Sequence, residues 1–142
     1  MYRIPIYECQ LVQCGEQVHS VDRVDCFEQA TRIIHGMTKH SPCERIIVVY
    51  LNGANGLMGA EQVSQGGLHG CAIMPRDVVR GALVANASAI VIGHNHPSGD
   101  PTPSVEDIRM TEELAKVCDM IGVPLLDHVI VTRDGKSRSI LS

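Results

Sequence analysis

The chain has 142 residues, enough for one ordinary domain with a core that needs no staples. Charged residues make up 20% and hydrophobic ones 44%, a balance that excludes a disordered chain. The net charge of −4 gives no support to nucleic-acid binding, which needs clustered Lys and Arg.

Tyr2 to Val12 alternates weakly and reads as an opening strand, and Gly15 marks a turn. Asp25 with Glu28 resembles a capping box ahead of Phe27, Ala30, Ile33, Ile34 and Met37, so a first helix is expected over 26–39. Ser41-Pro42 stops it. Arg45 to Leu51 is a short β-branched run, as in a strand covered on both faces. A turn at 52–56 lets Leu57 to Gln65 pair back until Gly66-Gly67 breaks it. Pro75 opens a second helix carrying Val78, Val79, Ala82, Leu83 and Asn86. Ala89 to Gly93 is another buried strand, running into a stiff Pro- and Gly-rich loop from His94 to Pro103. Ser104 caps a third helix with Ile108, Thr111, Leu114, Cys118 and Ile121 on one face, closed by Gly122 and Pro124. Val123 to Val131 is a strand, and Asp134-Gly135 turns it back into Ser137 to Leu141. Interleaved helices and strands predict an α/β domain on a mixed sheet.

No apolar run approaches the roughly 18–20 residues that span a bilayer. Met1-Tyr2-Arg3-Ile4-Pro5 opens no signal-peptide core, so the chain reads as cytoplasmic. The six cysteines form no Cys-x-x-Cys pair and read as buried, reduced thiols. Without Trp and with Phe27 as the single Phe, the core is aliphatic.

The chemistry concentrates between positions 94 and 107. Residues i and i+2 of an extended segment share a face, so His94 and His96 aim at one point while Asn95 faces away. Ten residues separate His96 from Asp107, and the loop lets the first turn of the third helix meet that point. Two imidazoles and one carboxylate are a catalytic zinc set that leaves a tetrahedral position for water. Glu61 is the only carboxylic residue between Glu44 and Asp77, and it is taken as general base and then general acid. The Ser104 hydroxyl is a donor for a developing oxyanion. Singly, each feature has a plainer reading: paired core histidines, a helix-capping Ser104 and Asp107, a solvated Glu61. Asp127-His128 reads as a core hydrogen-bonding pair or as support behind the metal, and Arg133, Lys136 and Arg138 as a solvated face. His69 and Cys71 offer a weaker metal pair.

The pattern Glu61…His94-x-His96-x7-Ser104-x2-Asp107 resembles the JAMM motif of Jab/MPN metalloproteases. His94-Asn95-His96-Pro97-Ser98-Gly99-Asp100-Pro101-Thr102-Pro103-Ser104 is similar to the RadC branch, as are Pro75-Arg76-Asp77-Val78-Val79 and Leu125-Leu126-Asp127-His128-Val129-Ile130-Val131. The resemblance implies a single domain over 1–142, with a central curved mixed sheet flanked by helices. It implies one zinc per chain held by His94, His96 and Asp107, with Glu61 and Ser104 catalytic. The expected activity is hydrolysis of a peptide or isopeptide bond in a peptide or protein substrate. The alternatives are a non-catalytic module associated with DNA repair and, further off, a metal-dependent nuclease. Full-length RadC proteins carry an N-terminal helix-hairpin-helix segment for which this chain has no room. Around Ala60-Glu61-Gln62-Val63-Ser64-Gln65 the sequence departs from the family pattern.

Overall fold

The computed structural model describes residues 1–65 and 73–141. The Gly66-Gly67 break and the His69 and Cys71 pair lie outside the described residues. In chain order the elements are α1 (Phe27–Thr38), β1 (Arg45–Leu51), β2 (Leu57–Gln65), α2 (Pro75–Val84), β3 (Ala89–Asn95), α3 (Val105–Ile121), β4 (Leu125–Val131) and β5 (Ser137–Ser139). The five strands form one mixed sheet in the order β2-β1-β3-β4-β5. β1 runs antiparallel to β2 and β3, β3 runs parallel to β4, and β5 returns antiparallel along β4.

Strand alternation divides the core into two layers. Ile47, Val49 and Leu51 of β1, Ala89 and Val91 of β3, and Val129 and Val131 of β4 pack with Ala30, Ile33 and Ile34 of α1. Their neighbours of opposite parity, Val48, Tyr50, Ile90 and Ile92, pack with Val78, Val79 and Ala82 of α2 and Leu114 and Cys118 of α3. The sheet is therefore covered on both faces, as the continuous apolar runs of β1 and β3 require. α3 begins at its Ser104 cap and ends at Gly122, whose φ of 75° only glycine adopts freely.

Three sequence expectations are corrected. Residues 1–19 form no helix or strand, and Tyr2, Ile4, Ile6 and Tyr7 are exposed. Alternation supplies no stability without a ladder partner, and neither β2 nor β5 pairs with this segment. The cap of α1 is Cys26, which makes no side-chain capping bond; Asp25 is engaged by Arg23 instead. The described cysteines are free, but only Cys118 is buried, because Cys9 and Cys14 lie in the unpaired segment and Cys26 at a helix end. No helix among the described residues is long and apolar enough to cross a membrane.

Candidate metal centre

β3 delivers both histidines. Ile90 and Ile92 face α2 and α3, so the same parity turns His94 and then His96 to that side. The ladder runs two residues past Gly93, and the His96 N–H donates to the Val131 carbonyl at 2.9 Å. Pairing with β4 thus holds His96 although the strand formally ends at Asn95. The loop reverses the chain and presents α3 end-on. There Ser104 Oγ accepts the Asp107 N–H at 3.0 Å, and Asp107 Oδ2 accepts the Ser104 N–H at 2.9 Å. This capping box contributes about 1 kcal/mol. It also fixes the Asp107 carboxylate beside the rings.

The imidazole Nε2 atoms of His94 and His96 lie 3.0 Å apart. Asp107 Oδ2 lies 3.4 Å from the first and 3.3 Å from the second. His94 is fully buried, while His96 and Asp107 keep side-chain exposures of 14% and 15%. His96 Nδ1 faces the Asp100 carbonyl at 2.8 Å; a carbonyl only accepts, so Nδ1 carries the hydrogen and Nε2 presents a lone pair. His94 Nδ1 lies 2.7 Å from His128 Nε2. Burial would raise the Asp107 carboxyl, but the His94 and His96 rings, which donate to it only in their protonated form, outweigh burial and hold the group far below the usual carboxylate range. Once protonated, His96 also donates through Nε2 to Asp107, and this bond raises the ring against the opposing effect of burial. Burial keeps His128 neutral, well below the usual imidazole range.

This donor set fits a divalent cation. Tetrahedral zinc with bonds of about 2.0–2.1 Å separates its ligand atoms by about 3.3 Å, the spacing found among the three atoms. Two ring nitrogens and a carboxylate oxygen this close repel one another unless a positive charge lies between them.

A fourth group belongs to the cluster. Glu44 joins His94, His96 and Asp107, with the four ligand-type atoms within 4.8 Å of one another. Its Oε1 is 3.7 Å from His94 Nε2. Glu44 immediately precedes β1, where Ile46 pairs with His94, and its parity matches Val48 and Tyr50 on the same face. Asn95, facing away from the centre, brackets Glu44 through the backbone. Its Oδ1 accepts the Arg45 N–H at 2.7 Å and its Nδ2 donates to the Cys43 carbonyl at 2.9 Å.

The structure brings together His94, His96 and Asp107, with Ser104 capping the same helix. Glu61 lies elsewhere. It pairs with Val48 in the ladder and bonds the Tyr50 hydroxyl beneath α2. Two strand spacings and two residues of rise put its backbone about 12 Å from that of His94. The carboxylate beside the rings is Glu44, not Glu61. Glu44 itself bounds the interval in which Glu61 is the single carboxylate. Its position just ahead of a buried strand was the available signal.

A three-layer α/β domain with a cluster of two imidazoles and two carboxylates where a strand passes through a loop into a helix defines a candidate metal-centre domain. The family model for the RadC-like JAB domain matches residues 24–141, and the chain belongs to that family. It is similar to a UPF0758 protein of Halalkalibacterium halodurans, 36% identical over 128 residues, covering 87% of this chain and 55% of the relative. A UPF0758 protein of Carboxydothermus hydrogenoformans is 45% identical over 92 residues, or 65% of this chain and 41% of the relative. One of Burkholderia cenocepacia is 38% identical over 121 residues, covering 85% and 46%. The chain spans about half the length of these curated relatives.

Proposed function

We propose that this domain is a zinc-dependent hydrolase of the JAMM type acting on a peptide or isopeptide bond. The observation that carries the reading is the convergence of His94 Nε2, His96 Nε2 and Asp107 Oδ2 with Glu44 Oε1 3.7 Å from the first ring. The two imidazoles and Asp107 hold one zinc per chain. When bound, the ion supplies Lewis acidity and makes water a nucleophile near neutral pH. Glu44 takes a proton from the attacking water and returns it to the leaving nitrogen. The Ser104 hydroxyl hydrogen, not used by the cap in which Oγ is the acceptor, donates to the substrate oxygen as charge develops. The bond class follows the wider Jab/MPN superfamily, whose members cleave peptide and isopeptide bonds.

The test is zinc content together with cleavage of a peptide library. Zinc-loaded wild type should cleave and contain one zinc per chain. Glu44→Gln should keep zinc and lose roughly 10²–10⁴-fold in rate, the usual worth of a general base. Glu61→Gln should leave zinc and rate near the wild-type values. Wild type that takes up no zinc at neutral pH overturns the metal assignment. Zinc-loaded protein with salt-sensitive DNA binding that survives His94→Ala, and no hydrolysis, supports the interaction-module reading instead.

A further inference from the structure

His94 is held from behind by a buried polar line that crosses the core. His94 Nδ1 meets His128 Nε2 at 2.7 Å, His128 Nδ1 meets Thr111 Oγ1 at 2.5 Å, and Thr111 Oγ1 meets the Asp107 carbonyl at 2.6 Å. His94, His128 and Thr111 are each fully buried. The line begins on one ring of the cluster and ends on the backbone of Asp107, another member of it.

Its direction follows from hydrogen-bond bookkeeping. The Asp107 carbonyl has no hydrogen, so the single Thr111 hydroxyl hydrogen lies between the two oxygens. Thr111 Oγ1 then faces His128 Nδ1 with a lone pair, and that nitrogen must carry hydrogen. A neutral imidazole holds only one, so His128 Nε2 is an acceptor. His94 Nδ1 must donate to it, which leaves the lone pair of His94 on Nε2. That is the atom 3.0 Å from His96 Nε2. Each link permits one polarity, and the result is the tautomer a cation needs.

The geometry points to His128 and Thr111 as positioning residues: the His94–His128–Thr111–Asp107 line fixes the His94 tautomer and turns its Nε2 lone pair to the cation. The placement follows from the fold. β4 lies parallel to β3 with Ile92 opposite His128, so the His128 ring falls in the layer of His94. Thr111 is one helical turn after Asp107, on the buried face of α3. The consequence for metal affinity rests on the zinc reading above, whereas the tautomer itself does not.

The experiment uses the whole chain and reads two quantities. Long-range ¹H–¹⁵N imidazole spectra of metal-free protein, recorded where the rings are neutral, report which nitrogen of each ring bears hydrogen. Competition with a chromophoric chelator reports zinc affinity. Wild type should show hydrogen on Nδ1 of both His94 and His128. Thr111→Val preserves shape but removes the hydroxyl. It should mix the His128 and His94 tautomers and weaken zinc about 10–100-fold, the usual cost of losing a partner behind a metal ligand. Thr111→Ser should restore both readouts, which a defect in packing alone would not do. Hydrogen on His94 Nε2 in the wild type, or Thr111→Val with unchanged spectra and unchanged affinity, overturns the inference. Should wild type bind no zinc while Thr111→Val still mixes the tautomers, the zinc reading falls and the relay stands.

Discussion

Asn95 sits between two histidines in sequence and serves the opposite face of the sheet. Its amide spans the chain entering β1, bonding both residues that flank Glu44. Each of these partly buried bonds contributes about 1 kcal/mol. Asn95→Ala should therefore lower unfolding free energy by about 2 kcal/mol in urea titration. Asn95→Asp should be no better, since it keeps the acceptor for Arg45 but sets a carboxylate oxygen against the Cys43 carbonyl. A stability equal to wild type in both variants would mean that the bracket does not hold Glu44. The cluster itself was partly legible from sequence. His94, His96, Ser104 and Asp107 lie on one strand, one loop and one helical turn, so local geometry alone brings them near. Glu44 and His128 reach the same place only through the pairing of β1 and β4 with β3. That pairing joins segments distant in the chain, and neither spacing nor residue type announces it.

At the level of elements, the contact that seats α1 on the sheet is a missing side chain. A Cβ on Gly93 would stand 2.5–2.7 Å from three carbons of Ile34, which is fully buried. Gly93 lies mid-ladder between Ile47 and Val129, so backbone movement would disturb two strand pairs. Gly93→Ala should cost about 1–3 kcal/mol, the range for overpacking a filled core. Gly59, on edge strand β2, has no atom within 4 Å of an added Cβ. Gly59→Ala should stay within about 0.5 kcal/mol of wild type. Equal stabilities for the two variants in denaturant titration would contradict the close seating of α1. The elements were legible where residues punctuate the chain: Pro75 opens α2, Ser104 caps α3 and Gly122 ends it. The opening segment was not, because its alternation says what a strand looks like and nothing about whether an edge will accept it. β3 outran its expected end for the converse reason, the partner strand extending its ladder to Asn95.

Over the whole molecule, the layer beneath α2 and α3 holds two weak acids in an aliphatic core. Cys118 is fully buried, and burial pushes its thiol from an ordinary 9.0 up to about 11. Tyr50 is raised in the same direction, first by burial and then by its bond to Glu61. Both groups are neutral in the folded state where the unfolded chain has begun to ionise. Stability is therefore complete below the unfolded thiol value and declines as pH rises, because unfolding then releases protons. For Cys118 the loss runs from about pH 9 to about pH 11 and totals roughly 3 kcal/mol, at about 1.4 kcal/mol per unit. Cys118→Ala should start less stable at pH 7, through a small cavity in the layer, yet lose less stability between pH 9 and pH 11 than wild type. Urea midpoints across that range measure the difference. Parallel curves for wild type and Cys118→Ala would show that the thiol is not held neutral by the core.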